Sequence, residues 1–407
     1  NFKNKRVFGR NLNYIEGGVL MKNKKWVLIT TIFLLSVLLA ACGSDEESSG
    51  SSDGSNTLTI YTVAGGDEYY NDIVIPMFEE ATGYKVEYGR GTPQEIINKI
   101  KTQGENGGID IVITGLDGLP LGINEGLWEQ LVPEYSEEVH ADEWNEIANA
   151  YKEKFDGYGV PVTTGSGGPI LVYNKDRVDN PPTTYEELKE WILDNPGRFT
   201  YPAVPSSGPA RGFFFGLAYA LGEDFNDPES LDETWTYLEE IGEVIDNYPT
   251  QTSDSFDLLY EGAVDIIPHT PFWFANLKAT GTVPPNIEAV ALEDTKQIID
   301  SHFYVMLKDL PEERKAAALE FLEFATSKEI QSQGYAVGFI PANGEASPDL
   351  LEEQYVETYS NYIEGVLPEF LDGDTIYVPE DNWVLFPDLE PTNESYNLWE
   401  QKIQAAK

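Results

Sequence analysis

Apolar residues first gather in one predominantly apolar run, Trp26 to Leu39, and from Thr57 onward they recur in short periodic pieces. The first run follows the basic start Met21-Lys22-Asn23-Lys24-Lys25 and ends in the small residues Ala40-Ala41. It is too short for a membrane span, which needs about 20 residues. A basic start, a short apolar stretch and small residues at the end predict a secretory signal. Gly43 to Asn56 is Ser, Gly and acid with one Asn at its end; it has nothing to bury and reads as a flexible tether. Leu58 to Val63 has strand character. Ala64-Gly65-Gly66 turns the chain, and Asp67 caps a helix through Glu80 that Pro76 kinks or delays. Tyr84 to Tyr88 predicts a second strand, Pro93 to Gln103 a helix, and Ile109 to Ile113 a buried strand. This strand–helix alternation makes the first lobe α/β.

Further on, two β-rich pieces in Tyr158–Asn174 flank Thr164-Gly165-Ser166-Gly167-Gly168-Pro169, the pattern of a crossing between lobes. Thr183 and Thr184 with Glu186 and Glu187 start a helix that Asn195-Pro196-Gly197 stops. Helices are expected over 210–222, 230–247 and 254–262. Strands are expected at Val264 to Pro268, Ile287 to Leu292 and His302 to Leu307. The helix over 311–327 sets Ala318, Phe321, Leu322 and Ala325 on one face.

Charge changes the picture. The chain carries 26 Lys/Arg and 70 Asp/Glu. The first 41 residues hold seven basic and one acidic residue, which leaves 19 basic and 69 acidic residues and a formal charge of −50 beyond them. Such a chain repels nucleic acid and anionic lipid. The length after the tether suggests two domains. With Cys42 the only cysteine, no disulfide holds them, and the apolar core must carry the stability.

Leu39-Ala40-Ala41-Cys42 resembles the bacterial lipobox. The resemblance implies cleavage before Cys42, lipid on its sulfur and an anchor on the outer face of the cell membrane. Translation is expected to start at Met21. Glu16-Gly17-Gly18 can be encoded by a purine-rich ribosome-binding sequence, so residues 1–20 are read as untranslated leader.

A longer resemblance follows from the order of segments. LTIYTVAGGDEYYNDIVIPMFEEATGYKVEY and GIDIVITG are followed by GVPVTTGSGGPILVYNKDRV, PPTTYEELKEW and GAVDIIPHTPFW, and the series ends in ERKAAALEFLEFATSKEIQ and GFIPAN. Over most of residues 57–345 the chain resembles the extracellular solute-binding protein of a bacterial ABC importer, of the maltose, polyamine and iron type. NPGRFTYP (195–202) is similar to the YnjB-like branch. The resemblance implies a two-lobe periplasmic-binding-protein-like α/β fold, with crossover strands, a hinge and an inter-lobe ligand cleft. The implied parts are a signal peptide at 21–41, a tether at 42–56, lobe 1 over 57–162 plus about 280–310, and lobe 2 over 163–279 plus about 311–407. The implied partners are a small solute and the membrane permease subunits of the importer, with the protein a monomer and no cofactor.

Ligands of open α/β sheets bind beyond the carboxyl ends of the strands. That rule selects Thr62, Gly65 and Gly66, although a plain turn would look the same, and Thr114 with Gly115. In the resembled family the 114–115 loop faces the cleft, and Tyr173 lines either the cleft or the hinge. Ser206 and Ser207 before a helix offer an anion or hydroxyl site or simply an N-cap, and Arg211 would strengthen an anion site or pair with surface acid. In Phe272-Trp273-Phe274 the aromatic wall is expected from Trp273, the others being core. Asn343 lies where the family re-crosses its hinge.

His140, His269 and His302 are far apart, so Cys- or HExxH-type zinc sites are excluded and no metal site is expected. No nucleotide-binding or nucleophile-elbow motif occurs. The rival to solute capture is a lipid-anchored glycoside hydrolase with two carboxylates in an aromatic cleft; no acid pair is framed by a motif.

Overall fold

A computed structural model describes residues 56–103 and 108–407. The signal segment, Cys42 and the tether lie outside the described residues. The first sheet contains β1 (Thr57–Thr62), β2 (Lys85–Arg90), β3 (Ile111–Thr114), β4 (Val160–Thr163) and, from far along the chain, β9 (His302–Met306). Its order is β2-β1-β3-β9-β4. β1 runs parallel to β2 and β3, and β9 antiparallel to β3 and β4. Every residue of β3 is buried, as its unbroken apolar run predicts for a strand covered on both faces. The helical stretch from Asp67 to Thr82 includes a π segment, Tyr70–Val74. Pro76, which has no N–H to give, falls in the first turn of the segment Ile75–Thr82, directly after this π segment.

The second sheet is β6-β5-β7, all antiparallel: β5 (Ile170–Asn174) lies between β6 (Ile266–His269) and β7 (Ile287–Ala291). Alternate residues of β5 serve opposite faces. Leu171 enters one core with Phe213, Phe214 and Trp235, while Ile170 and Val172 enter another with Phe256, Phe272 and Tyr362. β8 (Gln297–Ile299) pairs not with either large sheet but with a strand near the C-terminus, Trp383–Leu385. A short hairpin, β10 (Leu371–Asp372) and β11 (Thr375–Ile376), precedes that strand, which is β12.

The chain passes between the sheets at Thr164–Pro169 and again at 292–301, where Ile298 packs into a core of the second sheet and Ile299 into that of the first. A third passage is pinned where Thr163 bridges Pro341. This membership corrects the expected lobe boundaries. β7, expected with the first lobe, pairs with β5. The helix Glu312–Thr326, expected with the second, lays Ala318, Phe321, Leu322 and Ala325 on the first core. Arg314 also meets the buried Asp110 at 2.7 Å beside β3. The i, i+3, i+4 pattern identifies a buried face but not which core it meets, and here β3 supplies the partner.

Candidate functional site

The carboxyl ends of β1 and β3 open into a cavity of about 360 Å³. After β1, the loop Val63-Ala64-Gly65 forms part of its wall. Thr62 is buried and shapes this loop: its Oγ1 donates to Ala64 O at 3.0 Å and accepts from Ala64 N–H at 3.2 Å. Gly66 sits at φ 91, and a side chain there would meet the Phe339 ring at 2.6 Å. After β3, Gly115, Leu116 and Asp117 line the cavity, and Asp117 accepts the N–H of Gly118 at 2.9 Å. Thr114 is buried, with its hydroxyl donating to Gly115 O at 3.2 Å.

The opposite wall comes from the second half of the fold. Pro205 and Arg211 approach from the start of the helix Gly208–Ala220. The crossing strand contributes Asp300 and His302. The C-terminal helix Leu389–Lys402 presents Leu389, Thr392, Asn393 and Tyr396, spaced so that one helical face looks into the cavity, with Phe386 just before it.

The electrostatics are unbalanced within this wall. Arg211 lies 3.5 Å from the hydroxyl of Tyr396 and forms no ion pair among the described residues. Burial opposes its charge, but Tyr396, Asp300 and Asp117 outweigh burial and hold the guanidinium above its ordinary range. Burial raises the Tyr396 phenol, and Arg211 pulls against that rise. His302 shares a 3.0 Å hydrogen bond between its Nδ1 and the hydroxyl of Tyr70. Burial lowers its pKa, against the pull of Asp300 and Asp117. Thr392 is only 5% exposed, and its hydroxyl has no hydrogen-bond partner among the described residues.

Of the residues expected from sequence, Gly65, Gly115 and Arg211 come together on this cavity. Thr62, Gly66 and Thr114 stand behind its loops. The two serines serve the local backbone: Ser206 donates to Thr250 O at 2.6 Å, while Ser207 caps the 208–220 helix and shares a 2.8 Å bond with Thr252. Tyr173 is half-buried in the second sheet beside Ile266 and Glu288. Trp273 is 54% exposed, whereas its neighbours Phe272 and Phe274 are core residues; it does not line this cavity. Asn343 is buried, and its amide donates to Glu143 at 2.7 Å and to Thr326 O at 3.2 Å. Sequence reading missed Asp117, Asp300, His302 and the tail residues. Asp117 sits two residues from Gly115, a position already singled out. The tail offered no motif.

Two α/β halves, a cavity at the ends of parallel strands and repeated passages beside it define a ligand-binding protein of the two-lobe class. The profile of the bacterial extracellular solute-binding proteins matches residues 74–360, and the chain belongs to that family. Its fold is similar to an ABC transporter protein of Clostridium perfringens, with 20% identity, a TM-score of 0.65, and coverage of 86% of this chain and 99% of that one. It is also similar to the spermidine/putrescine transporter substrate-binding protein of Streptococcus pneumoniae, at 20% identity and a TM-score of 0.62, covering 86% and 99%. A third is an iron-bound protein of Pseudomonas aeruginosa, at 18% identity and a TM-score of 0.53, covering 76% and 99%. At such identities these likenesses describe the fold and not the solute.

Proposed function

We propose that the cavity between β1, β3, the 208–220 helix and the C-terminal helix is the solute site of an importer-coupled binding protein. Gly65 and Gly115 would present backbone to the solute, and Arg211, Asp300, His302 and Tyr396 would orient it. The observation that carries this reading is the convergence of two strand ends, a crossing segment and two helices on one polar cavity. Its 360 Å³ lies in the range of small-molecule sites. The passages near Thr163, Ile299 and Pro341 are the hinge about which the halves would close. Capture proceeds without chemistry, and a membrane permease takes the solute. Cys42 would carry the lipid that holds the protein on the outer face of the membrane.

The test is a thermal-shift screen of the purified chain against sugars, diamines, vitamins, amino acids and oxyanions, followed by recovery of the bound compound. A raised midpoint with the compound recovered unchanged supports capture. Turnover of a glycan, with no stabilisation by any solute, contradicts it.

A further inference from the structure

One wall of the cavity holds a cation and an anion that do not pair with each other. Arg211 forms no ion pair, and Asp300 makes none with any described cation. Asp117 adds a second carboxylate across the opening. Closing the halves over these charges would leave them in a low dielectric, where an uncompensated charge is strongly unfavourable. Asp300 and Asp117 support the Arg211 charge only through space, without direct contact, and Arg211 is directed to the Tyr396 hydroxyl. Beside them the Thr392 hydroxyl is buried without a partner, on the same helical face as Asn393 and Tyr396. A buried hydroxyl with no partner calls for a polar group from outside.

We propose that the solute is a small zwitterion. Its acidic group, a carboxylate or a phosphate, lies against Arg211, Thr392 and Tyr396, and its ammonium faces Asp300 and Asp117. This rests on the cavity being the solute site. It makes the C-terminal helix, which lies beyond the stretch that matches the family profile, the element that selects the solute. The alternatives fit less well. A diamine would bring a second positive charge to Arg211. A simple anion would meet two carboxylates inside a chain of net charge −44, whose long-range field opposes its entry. A carboxylate zwitterion is neutral overall and avoids that field, a phosphate one carries about one net negative charge and is opposed less than a simple phosphate, and both match the two charges of the wall.

The experiment titrates the full chain by calorimetry at low ionic strength. The probes are 4-aminobutanoate and 2-aminoethyl phosphate, analogues that keep only the acidic or only the amino group (butanoate, ethyl phosphate, butylamine), putrescine and glucose. The two zwitterions distinguish a carboxylate from a phosphate head. The expected result is binding of a zwitterion at least roughly 100-fold tighter than either kind of analogue. A loss of roughly 100-fold is expected in Arg211→Gln, with partial recovery in Arg211→Lys, and about tenfold in Thr392→Val, which keeps the shape and removes the hydroxyl. Unchanged unfolding midpoints of the unliganded variants show that folding is intact. Gly65→Trp serves as the control, because Gly65 lines the cavity and a Cβ there meets nothing within 4 Å, which leaves room for a bulky side chain at the cavity wall. Putrescine or glucose binding as tightly as any zwitterion, indifference to Arg211→Gln, or no zwitterion binding at all would overturn the proposal. Where Gly65→Trp still abolishes binding of whichever compound binds, the cavity remains the solute site and only the zwitterion is wrong. Where binding survives Gly65→Trp, the cavity itself is the wrong site.

Discussion

At Gly66 the backbone turns with φ 91 and the Phe339 ring presses against the open face. Gly66→Ala should destabilise the protein by roughly 1–3 kcal/mol in urea unfolding, because both the angle and the contact oppose a side chain. The sequence marks Gly65 and Gly66 alike, yet only Gly65 faces the cavity; a glycine's neighbours are long-range and its code is not. Asn343 teaches the same lesson. A polar residue in the passage between the halves looked like a ligand group, but its amide holds Glu143 and Thr326. Asn343→Ala should cost roughly 1–3 kcal/mol of stability and leave solute affinity unchanged. His269 is fully buried against Phe256, and burial holds its pKa down to about 4. The unfolded chain takes up this proton near pH 6.5 and the folded chain does not. Its contribution to stability is therefore complete above pH 6.5 and is lost as pH falls toward 4, by about 3 kcal/mol in all. His269→Phe should flatten the stability-against-pH curve in that window; an unchanged slope would contradict the assignment.

At the scale of elements, the strands β1 and β3 and the helix Pro93–Gln103 were legible because their periodicity and end signals agree with their burial. β8 and β12 were not: each is three residues long and exists because the other is there. The C-terminal helix is polar along much of its length; Trp399, whose Nε1–H donates to the Tyr201 hydroxyl at 3.1 Å, is its fully buried anchor in the second core, with Ile403 at its end and Tyr396 and Leu398 packed beside it. Trp399→Ala should cost roughly 3–5 kcal/mol and weaken solute binding too, since the same helix carries Thr392 and Tyr396. The 208–220 helix reaches the cavity because Gly212 lets it lie directly on the backbone of Gly167. Gly212→Ala must push the helix away and move Arg211 with it. Affinity should fall about tenfold or more, equivalent to about 1.4 kcal/mol. Calorimetry on the variant reads this directly.

Across the whole molecule, the α/β class and the passage at Thr164–Pro169 followed from pattern and turn residues. The partition of later elements between the halves did not, since an amphipathic helix such as 312–326 fits either core until β3 and Asp110 are placed. The site was legible only where a strand ends in a glycine loop. Its charged wall is assembled from residues 117, 211, 300 and 396, too far apart in sequence to signal one another. Outside the described residues, Cys42→Ala is expected to release into the medium a protein that still binds its solute but no longer supports uptake; loss of binding by the purified variant would contradict the proposed anchor role. The most direct test compares calorimetric titrations of the wild type, Gly65→Trp and Asn343→Ala with one bound compound. The account predicts that Gly65→Trp abolishes binding while Asn343→Ala, though less stable, binds as the wild type does. Wild-type affinity in Gly65→Trp would contradict it.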